Sequence, residues 1–112
     1  MSNIKGTEKQ IEFANKIIDT LIGMSDEQAP ESGTPAQQMA AGQRNQSREI
    51  FRQTARVIKV LIEDGAEAAQ DAFEANPECN AASVQSMVDA EAVVQAGEVI
   101  EALKGAFYNL AQ

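Results

Sequence analysis

Two threonines in this chain, Thr7 and Thr34, are each followed three residues later by a glutamine, Gln10 and Gln37, and that spacing commits the backbone to start a helix at both places. In such a capping box the Thr hydroxyl accepts an amide proton of the first turn, and the Gln side chain reaches back to the amide of the cap. After Thr7, apolar residues follow at Ile11, Ala14, Ile17, Ile18, Leu21 and Ile22, the three-and-four spacing of one helical face. A first helix is expected over residues 8–22, with Gly23 placed to end it in the left-handed conformation that glycine adopts without strain. At the second box Pro35 takes the first helical position, where its missing amide costs nothing. Between the two lies MSDEQAPESGT, residues 24–34, which has no apolar periodicity and reads as an exposed loop.

Projected as a helix, residues 36–64 gather Met39, Ile50, Phe51, Val57, Ile58, Leu61 and Ile62 in one arc, yet residues 42–49 carry no large apolar group. The first half of this second helix is therefore expected to be wet or bound to a partner. Gly65 ends or kinks it, AEAAQDAFEA forms a short third helix, and Asn76-Pro77 stops that one, because the residue before proline disfavours the helical region. The stretch from about 81 to 110 is helical in composition, with a break expected near Ser86 to Asp89. Within it Val93, Ala96, Ile100, Leu103, Phe107 and Leu110 form a seam too short for a coiled coil, which predicts the inner face of a bundle helix or a contact between subunits. Gly97 and Gly105 share nearly one face with Glu101 between them, permitting close approach by another helix of the same chain or of a second copy. Phe13, Phe51, Phe73 and Phe107 give one ring to each predicted helix and suggest a single core built around them. No strand-like alternation or hairpin signal is present. The expected fold is all-α: one domain over residues 1–112, a small bundle of four to five helices with a long C-terminal helix.

A chain of 112 residues buries roughly 65% of its unfolded surface, enough for a core without a disulfide or metal staple. The absence of histidine excludes His-based zinc sites and Ser-His or Cys-His nucleophile pairs, and no EF-hand loop is present, so neither an enzyme nor a metal or cofactor is expected. Cys79 stands alone between Glu78 and Asn80, acidic and amide neighbours that do not activate a thiol. A lone thiol suits a reducing compartment, and no apolar run reaches the length of a leader or a membrane span, so a cytoplasmic chain without membrane contact is expected.

Charge is distributed in blocks. Residues 1–35 hold three lysines against six acids, residues 36–59 hold five basic groups against one Glu, and residues 60–112 hold one Lys against ten acids. The basic block is a ridge: Arg44, Arg48, Arg52 and Arg56 recur every four residues with Lys59 beside them, an arc of about 120° on a helix. Two readings compete. Arg forks can line a site for phosphate, nucleotide or the carboxylates of a partner; alternatively the ridge is a solvated face or an internal ladder, for which Glu67, Asp71, Glu74 and Glu78 form a matching acidic stripe. The acidic C-terminal third either imitates nucleic acid towards a basic surface or simply aids solubility, and with a net charge of −8 the molecule should bind duplex DNA only weakly. Tyr108, one residue past the seam, is expected at an interface or boundary.

The segment KGTEKQIEFANKII, residues 5–18, resembles a short Gly-Ser/Thr-Glu-Lys-Gln-Ile/Val-x-aromatic-Ala stretch of small uncharacterised helical proteins of bacteria and their phages and plasmids. Similar Thr-x-Lys-Gln openings occur in nucleic-acid-handling proteins. The resemblance covers about an eighth of the chain and implies a phage or mobile-element accessory protein, a class that often binds and blocks something larger. With the residue pattern, the expectation is a non-enzymatic interaction protein and homo-oligomer with a protein partner. The alternative is a regulator or sponge that captures a small anion on the Arg ridge.

Overall fold

Both capping boxes close. In the computed structural model, which describes residues 4–28, 32–89 and 94–111, the Thr7 hydroxyl accepts the Gln10 amide at 3.2 Å and Gln10 accepts the Thr7 amide at 3.0 Å. Thr34 and Gln37 repeat the arrangement at 3.2 and 2.9 Å. These caps open α1 (Glu8–Gly23) and α2 (Pro35–Asp64). Gly65 ends α2 and starts α3 (Ala66–Ala75) with φ 94° and ψ 178°, a backbone region open almost only to glycine. Asn76 terminates α3, its side-chain amide donating to the Ala72 carbonyl at 2.9 Å. The helical stretch expected over 81–110 is divided into α4 (Ala81–Asp89) and α5 (Ala96–Asn109), so the helix runs through the region of the expected break before it ends.

The chain is an all-α bundle with one addition that alternation could not reveal. Ile4–Lys5 (β1) pairs in parallel with Val94–Gln95 (β2), tying the N-terminal segment to the start of α5. Two residues are too few to show a period, so the pairing left no sequence signal. Gly6 follows β1 at φ 154°, and a β-carbon there would meet that of Ala96 at 3.0 Å.

Thirty residues at about 1.5 Å each make α2 some 45 Å long, and the molecule is 50 Å along its longest axis. All other helices pack against the C-terminal part of this rod or against α1. The core lies there and is aliphatic: Ile17, Ile18 and Leu21 of α1, Val57 and Ile58 of α2, Val84 of α4, and Val99 and Leu103 of α5 are its fully buried large side chains. The four phenylalanines are not its centre. Phe13, Phe51 and Phe73 are only partly buried at its edge, and Phe107 alone is buried, edge-on to Phe13 with ring centroids 5.8 Å apart.

Gly23 does not take the left-handed conformation expected of it. It closes α1 in helical form and Met24 caps the helix in extended conformation, φ −72° and ψ 143°. The reason is tertiary, because the chain beyond Met24 is drawn onto α2.

Candidate interaction site on the second helix

The segment read from sequence as an exposed loop is in part a strap across α2. Asn45 holds the main chain of Glu27 with both ends of its amide: its Oδ1 accepts the Glu27 N–H and its Nδ2 donates to the Glu27 carbonyl, each at 2.9 Å. The Glu27 carboxylate lies between two arginines, accepting from Arg44 Nε at 2.8 Å and from Arg48 Nη2 at 3.1 Å. Arg52 takes the next stretch, donating from Nη1 to the Met24 carbonyl at 3.0 Å and pairing with Asp26 at 2.9 Å. Arg44, Arg48 and Arg52 face the strap because four residues advance a helix by only 40° beyond a full turn. Ala41, Asn45 and Arg48 lie on the same side, and the burial of Ala41 and Arg48 marks that side as covered.

Arg48 and Arg52 are also fixed from behind. Arg48 is 8% exposed and gives Nη1 to Asn45 Oδ1 at 2.8 Å and Nε to the Leu110 carbonyl at 3.4 Å, which brings the end of the chain into the same cluster. Arg52 is braced by Glu49, to which its Nε donates at 3.0 Å, and Glu49 also accepts from Gln53 at 2.8 Å. The electrostatics follow from these contacts. The Arg44 hydrogen bond, reinforced by Arg48, holds the Glu27 carboxyl below its usual range; the Gln53 hydrogen bond and then Arg52 do the same for Glu49. Glu27 in turn raises Arg44, and Glu49 and Asp26 raise Arg52.

The ridge foreseen in the sequence thus exists, but it is divided. Arg44, Arg48 and Arg52 serve the strap; Lys59 donates to Asp19 of α1 at 2.9 Å, which raises its pKa; Arg56 stays exposed, its charge felt by Glu49. The expected partners Glu67, Asp71, Glu74 and Glu78 form no ion pair with the ridge among the described residues. They project into solvent, because α3 turns back at Gly65 and lies along the C-terminal part of α2. Asn45 and the strap carboxylates were missed because a polar loop carries no periodicity. Three acidic or amide residues opposite an Arg-x3-Arg-x3-Arg helix was the available signal.

A second polar junction was also missed. The Thr54 hydroxyl donates to the Ile50 carbonyl at 2.7 Å and accepts the Asn80 amide at 2.8 Å, while Gln53 Oε1 accepts the Glu78 amide at 2.8 Å. These bonds pin the link between α3 and α4 to α2. Cys79 in this link is half-buried against the core, and burial raises its thiol pKa.

The C-terminal seam divides differently from its sequence projection. Ala96, Leu103 and Phe107 are buried, Ile100 and Leu110 pack at the edge of the core, and Val93 lies outside the described residues. Val99 and Ala106 complete the buried face in their stead. A β-carbon placed on Gly97 or Gly105 would meet nothing within 4 Å, so no helix among the described residues makes the close approach those glycines permit. Gly97 and Glu101 instead border an open groove of about 660 Å³ between α4 and α5, with Met87 and Ala102 on its walls. Tyr108 is 55% exposed and stands edge-on to Phe107.

No group of three or more acidic or Cys side chains among the described residues is placed to hold a metal ion. None of the described helices is long and apolar enough to cross a membrane. No protein-family model, curated protein or solved structure matches this chain.

Proposed function

We propose that this chain is a non-enzymatic, cytoplasmic interaction protein that binds and blocks, or adapts, a larger protein partner and assembles as a homo-oligomer. The observation that carries the reading is the outer half of α2. Residues 35–43 contain no charged side chain in a chain that is 23% charged, and Met39 among them is 66% exposed. An adaptable thioether on a neutral helix end is suited to docking in a partner's groove, where a charge would have to be desolvated. The Thr34 cap and the strap fix the direction in which this end points. The resemblance of residues 5–18 to small phage and plasmid proteins supports an accessory role in a mobile element. A free phosphate or nucleotide at the ridge would first have to displace Glu27 from Arg44 and Arg48.

The test is affinity capture from host lysate with the unaltered chain and with Met39→Glu. The variant should lose the specifically retained protein while its melting temperature barely moves, since an exposed substitution typically changes stability by about 0.5 kcal/mol or less. Retention of the same protein by both chains would reject the outer half of α2 as the docking element. Light scattering with mass determination tests assembly, and a monodisperse monomer at high micromolar concentration would reject the oligomer.

A further inference from the structure

We infer that the Asn45/Arg48/Arg52 face of α2 is a receptor for an extended acidic peptide, and that the strap is its competing occupant within the free chain. The inference rests on the reading of this protein as a binder of other proteins and names the chemistry of what it binds. In the strap, Asn45 recognises one residue through its N–H and carbonyl, Arg52 recognises the carbonyl three residues earlier, and the Arg forks recognise two adjacent carboxylates. The main-chain contacts are available to any extended peptide. The carboxylate contacts select one carrying adjacent acidic residues.

Two observations make the occupant exchangeable. Ser25, Asp26 and Gln28 are exposed, and among the described strap residues Met24 alone packs against the core, so the remainder is held by polar contacts and places no apolar side chain of its own in the core. A second acidic peptide would restore each contact it displaced, making the exchange nearly neutral apart from the advantage of tethering. The receptor also stays formed when vacated, because Asn45 and the Leu110 carbonyl hold Arg48, and Glu49 holds Arg52. Joined to the helices on both sides, the strap competes at an effective concentration of about millimolar, which suppresses weak external peptides in the unaltered chain.

The experiment uses the full chain, unaltered and as Asp26→Asn/Glu27→Gln, with a labelled, end-blocked peptide Met-Ser-Asp-Glu-Gln and its Asn-Gln counterpart as probes. Anisotropy should show the acidic peptide binding the double variant about tenfold tighter or more than the unaltered chain, as expected when a tethered competitor is weakened. The neutral peptide should bind neither, and adding Arg48→Gln should abolish the gain. A double variant that keeps its helical circular dichroism yet binds no tighter, or binds both peptides alike, overturns the inference. If neutralising the strap unfolds the chain, the unaltered protein is titrated with each unlabelled peptide while the chain's own Glu27 backbone amide, which leaves Asn45 when the strap is displaced, is followed by NMR. A saturable shift with the acidic peptide alone supports the receptor, and no shift up to about 10 mM, well above the tether's effective concentration, overturns it. Capture through Met39 is read separately, so a protein partner retained by an outer α2 that binds no acidic peptide leaves the proposed function standing without the receptor.

Discussion

Arg48 shows how little a residue's type says about its surroundings. It belongs to a charge run whose commonest fate is solvation, yet it is buried and supplied with three acceptors from three separate parts of the chain. Reversing it together with Arg52 places carboxylates against Glu27, Asp26 and Glu49 and leaves the Leu110 and Met24 carbonyls without donors. Because both arginines are nearly covered, Arg48→Glu/Arg52→Glu should cost about 2 to 4 kcal/mol, well above the effect of breaking exposed pairs. Urea denaturation should show the larger loss at low salt, where repulsion is least screened. Unchanged stability would mean that the clamp does not form in solution. Thr54 offers a second measurement at this scale, since valine has nearly its shape and neither its donor nor its acceptor. Thr54→Val should destabilise by about 1 to 3 kcal/mol, because the Asn80 amide loses the hydroxyl that accepts it.

At the scale of the element, α2 is two helices in one. Its second half follows the amphipathic rule, burying Val57, Ile58, Leu61 and Ile62, and its first half breaks that rule because the surface it faces is polar chain. The gap in apolar residues over 42–49 is therefore not a defect in the helix. It is the footprint of the strap. On α5 the glycines permit a prediction with opposite signs for two arrangements. If no second chain packs there, Gly105→Ala should stabilise by about 0.5 to 1 kcal/mol, because alanine restricts the unfolded backbone and favours helix while meeting no neighbour. If the homo-oligomer is built on this face, the added methyl should weaken assembly instead. Melting temperature and light-scattering mass, measured on the same variant, separate the two.

At the scale of the whole molecule, the absence of histidine leaves no side chain with an ordinary pKa between the carboxylates and the upper pH range. Glu27 and Glu49 sit below their usual values when folded, so the unfolded chain takes up protons first as pH falls. Their stabilisation is complete above the unfolded carboxylate value of about 4.3 and is lost as pH drops through the lower folded values. Lys59 works in the other direction: its raised pKa gives stability present below the unfolded lysine value of about 10.4 and lost as pH rises through the folded one. Melting temperature should thus be level from about pH 6 to 8 and fall below about 4.5, with Glu27→Gln flattening the acid limb. A strong change near neutrality would contradict this assignment.

The sequence by itself determined where α1, α2 and α3 start and which face of α1 and of the second half of α2 turns inward. Capping boxes act over three residues and apolar spacing over a few turns, so Thr7, Thr34, Gly65 and the Ile17/Ile18/Leu21 face were all legible. What only the tertiary structure decided lay between elements far apart in the chain. The partners of the Arg ridge were not the periodic acids of α3 but Asp26 and Glu27 in an aperiodic segment, because Gly65 turned α3 away while the end of α1 delivered the strap to the ridge. The choice of Val99 and Ala106 over Ile100 and Leu110 for the deepest contacts of α5, and the two-residue pairing of Ile4–Lys5 with Val94–Gln95, have the same cause. Local signals fix periods and ends, whereas the rotation of one helix against another and the route of a polar loop depend on contacts formed only when distant segments meet.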